Sequence, residues 1–123
     1  MSQPILFGIP NCDTVKKARK WLDDQGKAHE FIDLRADTPS THKIAEWLAA
    51  VGAERLINRR STTFKQLSHG DKAALEDDGA VSVLQAQPTL IKRPVLDLGP
   101  KRVVGFKPDI YAKEVPAKAR QKG

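Results

Sequence analysis

The hydrophobic pattern changes period abruptly near the N-terminus, and no other feature constrains the fold as strongly. Residues 5–9, ILFGI, form a continuous apolar run, as a strand covered on both faces does. PNCDT then supplies turn and capping residues. From Thr14 onward, Val15, Ala18, Trp21, Leu22 and Gln25 recur at spacings of three and four, with Lys16, Lys17, Lys20, Asp23 and Asp24 on the wet face. This predicts a strand, a tight loop and a helix ending near Gly26. HEFIDL, residues 29–34, reads as a second strand, which a right-handed crossover lays parallel to the first.

A second helix follows the turn at ADTPS. Ile44, Trp47, Leu48 and Val51 make one apolar stripe, and Gly52 offers a C-terminal cap. Residues 53–87 carry several short helical signals: FKQL after a Ser/Thr cluster, DKAALEDD with an Asp as cap, and AVSVLQAQ before Pro88. None alternates for long, so the middle of the chain reads as a helical layer. PVLDLGPKRVVGF, residues 94–106, reads as a hairpin turning at Gly99-Pro100, and the final helix is expected to begin around Pro108. The fold class is therefore α/β: a mixed four-stranded sheet with flanking helices, the Trp21 and Trp47 helices supplying much of the apolar payload. The expected organisation is one domain over residues 1–115, with a helical insertion at about 40–87, and a basic tail at 116–123.

The chain has 123 residues, is 40% hydrophobic and 29% charged, and has no apolar run approaching the roughly 20 residues of a membrane span. With no basic segment leading into an apolar core at the N-terminus, the expected location is the cytoplasm, away from membranes. One cysteine cannot form an internal disulfide, and no Cys/His cluster has the spacing of a zinc site, so no metal is expected. The formal charge of +6 is shared unequally: the last eleven residues carry four Lys/Arg against one Asp/Glu. A solvated surface accounts for this excess, as does attraction for a small anion or an acidic protein surface. Nucleic acid is not the expected partner, because the basic residues lack interleaved aromatics on which bases would stack.

Cys12 is the residue with chemistry to explain. Free cysteines are commonly buried, inert side chains. Cys12, however, follows a strand and precedes a helix whose first amides lack intrahelical acceptors, a setting that lowers a thiol pKa below about 8.5. Asn11 and Asp13 are polar neighbours, the Asp13 carboxylate opposing the thiolate, while the Thr14 hydroxyl is placed to donate to the sulfur. A buried structural thiol and a reactive one both remain open on these residues alone.

GIPNCDTVKKARKWL, LIKRPVLDLG and VVGFKP, three separated motifs in this order, resemble the arsenate reductase family of the ArsC, Spx and YffB type, and its small YffB-like members in particular. The resemblance runs from Ile5 to about Val115. It implies a thioredoxin-like fold in which a helical insertion separates the first two strands from the final hairpin. It also implies that Cys12 is the attacking cysteine and that Pro94 is the cis proline opposite it. Of the three arginines that surround the oxyanion in the family's arsenate reductases, one matches Arg93. Asn58 stands where another would be, with Arg59 and Arg60 immediately after it, and Lys107 replaces the last. Two family arginines are thus absent at their own positions, which argues against efficient arsenate reduction.

The family's regulatory branch uses a Cys-x-x-Cys switch and binds RNA polymerase. Here Val15 occupies the second cysteine's place, so a redox cycle requires a thiol from outside, with glutathione or a glutaredoxin as partner and no bound cofactor. The expected function is a glutathione-dependent thiol oxidoreductase with Cys12 as catalytic residue. Asn11, Thr14, Arg59, Arg60, Arg93, Pro94 and Lys107 are the residues expected to bind substrate or glutathione. The alternatives are a non-catalytic protein-interaction or redox-regulatory module, with a protein partner, and an arsenate reductase.

Overall fold

Strand β1 (Ile5–Gly8) is central because two strands pair with it: β2 (Glu30–Asp33) in parallel and β3 (Val95–Asp97) antiparallel. Strand β4 (Arg102–Val104) completes the hairpin, and the sheet order is β2-β1-β3-β4. These features come from a computed structural model, which describes residues 3–115. The basic tail expected at 116–123 lies outside the described residues. Among those described, no helix is long and apolar enough to cross a membrane, and no group of His, Cys, Asp and Glu has the arrangement of a metal site.

The chain divides into two compact units, one formed by residues up to Asp33 together with those from Arg93 onward, the other by Leu34–Lys92. In the first, the register puts Leu6, Phe31, Leu96 and Val103 on one face of the sheet. Helix α1 (Asp13–Asp24) lays Ala18 and Leu22 on that face. The last helix of the chain, Pro108–Glu114, adds Tyr111, and Val115 beyond its end joins the same cluster. Trp21, Phe106 and Tyr111 form an aromatic trio with centroids 5.0–6.2 Å apart, tilted or edge to face, the arrangement that quadrupoles favour. Gly8 is needed for the approach of α1, because a Cβ there would lie 2.6 Å from Val15 Cγ2. At the hairpin, buried Asp97 faces Arg102 across the strands at 3.2 Å and accepts the Gly99 amide at 2.9 Å, fixing the turn where Gly99 takes φ 92.

The second unit is helical: α2 (Thr41–Val51), α3 (Ala53–Leu56), α4 (Thr62–Lys65), α5 (His69–Ala74), α6 (Ala80–Ala86) and a 3₁₀ turn at Pro88–Leu90. The Pro108–Glu114 helix is therefore α7. Ile44, Trp47, Leu56, Leu84 and Leu90 are fully buried in this unit. Helix α2 ends as expected at Gly52, at φ 87. Two details differ from expectation. Helix α5 is capped by Ser68, whose hydroxyl accepts the Asp71 amide at 3.1 Å, because the helix starts before the aspartate read as its cap. An isolated antiparallel bridge, Ile57 to Ile91, joins two apolar residues in a region without strand-like alternation.

Candidate functional site

Register determines which loops meet. Phe7 is opposite Val95, and Val95 is opposite Val104, so the C-terminal end of β1, the N-terminal end of β3 and the C-terminal end of β4 lie together. Asn11 and Cys12 follow the first, Arg93 and Pro94 precede the second, and Lys107 follows the third. The Gly105 amide donates to the Pro94 carbonyl at 2.8 Å, tying the last two segments together, and the Arg93-Pro94 bond is cis. The Tyr111 hydroxyl, which burial holds protonated well above the usual tyrosine range, donates to the Gly105 carbonyl at 2.7 Å. Lys107 then caps α7, its carbonyl accepting the Ile110 and Tyr111 amides at 3.0 Å, while its side chain is exposed.

Cys12 is the N-cap residue of α1. Its backbone is extended, its amide donates to the Ile9 carbonyl at 3.0 Å, and its carbonyl accepts the Lys16 amide at 2.9 Å. The thiol is partly buried. Burial pushes its pKa up and is the largest single influence. Against it act the Val15 amide, the Arg93 side chain, the Thr14 amide and the charge of Arg93, and together they leave the pKa below the ordinary thiol value. These amides stand at the positive end of the helix, where a thiolate is favoured.

Of the residues expected around the cysteine, Asn11, Thr14, Arg93, Pro94 and Lys107 lie in the sheet unit with Cys12. Thr14 acts on the sulfur through its amide; its hydroxyl, expected as the donor, is not among the groups lowering the pKa. Asn11 is exposed in the turn before the helix. Arg59 and Arg60 belong to the helical unit. Arg59 pairs with Glu76 at 3.2 Å, and Arg60, exposed, donates its amide to the Asn58 side-chain oxygen at 3.1 Å. The Asn58 carbonyl also accepts the Ser61 hydroxyl at 2.8 Å, and its amide donates to Leu90 at 2.7 Å. An asparagine there builds the turn into α4, a task an arginine side chain cannot perform. The free amides expected at the start of the helix to favour the thiolate are those of Thr14 and Val15, the latter otherwise a core position.

A strand, a cysteine-bearing turn and a helix, closed by a cis proline and a final hairpin, form the arrangement of a thioredoxin-like fold. The model of the ArsC family matches residues 7–113. This chain belongs to the ArsC family. An uncharacterised protein of Haemophilus influenzae is 41% identical over 106 residues, covering 86% of this chain and 93% of that protein. A solved structure, the YffB protein, is 43% identical with a TM-score of 0.86, covering 93% of this chain and all of that one. The global transcriptional regulator Spx of Listeria innocua is 26% identical over 117 residues, covering 94% of this chain and 88% of that protein. The fold of this family member is thus thioredoxin-like, and its relatives include Spx regulators.

Proposed function

We propose that this ArsC-family protein is a glutathione-dependent thiol oxidoreductase acting through Cys12 alone. The observation that carries the reading is the lowered pKa of Cys12 beside Arg93, in a chain with no second cysteine. In its simplest balanced form, the Cys12 thiolate attacks the glutathionyl sulfur of a mixed disulfide RS–SG. The S–S bond breaks, RS⁻ leaves and takes a proton from solvent, and Cys12–SG remains. A glutathione thiolate then attacks that adduct, releasing oxidised glutathione and restoring the Cys12 thiolate. A glutaredoxin thiol serves in the same place. Arg93 and Lys107 supply positive charge for glutathione carboxylates.

Turnover of a glutathionylated peptide, coupled to glutathione reductase, tests this directly. Wild type is expected to turn over and C12S not at all, while R93A loses about a hundredfold or more in rate, as removal of one charge-stabilising donor does. Absence of both turnover and a Cys12–glutathione adduct by mass would refute it. Arsenate, supplied with glutathione and glutaredoxin, is expected to turn over poorly, because Asn58 and Lys107 stand at positions of family arginines; K107R should raise that rate. Efficient reduction by the unaltered protein would instead make arsenate the substrate.

The likeness to Spx favours a second reading, a non-catalytic interaction or redox-regulatory module. A stoichiometric protein partner held equally by wild type and C12S, without thiol turnover, would place it ahead.

A further inference from the structure

Helix α1 carries four basic residues between positions 16 and 20, Lys16, Lys17, Arg19 and Lys20, and its acids are confined to Asp13 in the first turn and Asp23 and Asp24 in the last. Two of these cations are engaged. Lys20 pairs with Asp24 at 3.0 Å, and the Arg19 guanidinium sits 4.2 Å over the Phe31 ring. Lys16 is exposed, and its ammonium makes no ion pair among the described residues. Its place on the helix is specific: the Lys16 amide donates to the Cys12 carbonyl, so the two residues stand one turn apart on the same side. Helical side chains lean toward the N-terminus and cover the preceding turn, which for Lys16 is the turn bearing the thiol. Lys17 is rotated away from that line. Arg19 and Lys20 flank it a further turn along, and these are the two engaged cations.

We propose that Lys16 is a specificity-determining residue that selects disulfides carrying a carboxylate close to the sulfur attacked by Cys12. The inference rests on the reading of Cys12 as the attacking thiolate, but it does not depend on glutathione as the second thiol. Asp13 opposes it from the first turn, and Lys16 is the exposed cation that follows it one turn later. The substrate class is an acidic disulfide: a glutathionyl group, with two carboxylates, or a protein disulfide with Asp or Glu beside the reacting cysteine.

Two chromogenic disulfides separate this effect from the acidity of the thiol. Dithiobis(nitrobenzoate) carries a carboxylate on each ring, and dithiodipyridine is neutral. With either, the Cys12 thiolate attacks one sulfur, the S–S bond breaks, and the aryl thiolate or thione leaves. The ratio of the two second-order rates cancels any change in thiolate fraction. For wild type the ratio should fall steeply as salt rises, as steering of a charged ligand does. In K16E it should fall about three- to tenfold at low salt, the effect of reversing one charge several ångströms from a carboxylate in a water-rich setting. K16Q should lie between. K113E makes the same change in net charge on α7, near its C-terminal end, and should leave the ratio unchanged. Equal ratios for wild type and K16E, or equal losses in K16E and K113E, would overturn the proposal. Failure of glutathione turnover with the ratio still dependent on Lys16 would remove the glutathione reading and leave this one standing.

Discussion

The acidity of Cys12 is decided by opposed effects on one sulfur. Burial disfavours the thiolate, while the Val15 and Thr14 amides and Arg93 favour it and prevail. The alkylation rate of the thiol should therefore rise with pH to a plateau, with an inflection below the ordinary thiol value. R93A should move the inflection upward, and R93K, which keeps the charge and loses the fork, should fall between. An inflection at or above the ordinary value in wild type would contradict the geometry. The same shift has a sign for folding: with the folded pKa below the unfolded one, the thiolate's stabilising contribution is fully present above the unfolded value and lost as pH falls through the folded value. The stability of wild type relative to C12S should thus increase with pH across that window and then level off, as denaturant melts would record. The placing of Cys12, Arg93 and Lys107 at one end of the sheet was legible in the sequence, because the motifs that carry them border predictable strands. That the first amides of α1 favour the thiolate was legible too, from the place of Cys12 just ahead of that helix; which amides act, those of Thr14 and Val15, was not, since only backbone direction selects them. Asn58 was legible as a departure from the family's arginine; its turn-building role emerged only with its partners.

Among the elements, the contact of β1 with α1 positions the site most directly. Gly8 has no room for a methyl group: its Cβ would press on both Val15 Cγ atoms, at 2.6 and 3.0 Å. G8A should cost about 1–3 kcal/mol through overpacking. In G8A/V15A the loss should be smaller than the sum of the single losses, because the removed methyls make the space the alanine needs; additivity in a double-mutant cycle would sink this account. Capping provides a second element-level test. Ser68 accepts the amide of Asp71, so S68A should cost about 1 kcal/mol and D71A less. Why the sequence misled there is instructive. Helices α1 and α2, of 12 and 11 residues, show their period over several turns and were readable. Helices α3 and α4 have four residues each, barely one turn, and such a segment holds too few positions for any period to register.

For the whole molecule, the division into a sheet unit and a helical unit raises the question of whether they open together. Every helix of Leu34–Lys92 except α2 has seven residues or fewer, too short to persist without tertiary packing. That packing includes Trp47, fully buried on α2, the helix that contacts both α3 and α6. W47A should cost about 3–5 kcal/mol, a large share of the roughly 5–15 kcal/mol that keeps an ordinary domain folded. The sheet unit retains its own cluster of Leu6, Leu22, Leu96 and Tyr111, and the helical unit is spliced between its two chain segments as a loop. Loop-closure entropy grows only logarithmically with length, so loosening that segment adds little to the cost of keeping the sheet paired. Native-state hydrogen exchange of W47A should accordingly show the amides of α2 and α6 exchanging much faster than in wild type, with those of β1 and β3 still protected. Cys12 should keep its depressed alkylation inflection, since Val15, Thr14 and Arg93 all belong to the sheet unit. Equal acceleration of exchange in the strands and the helices would show instead that the two units unfold as one.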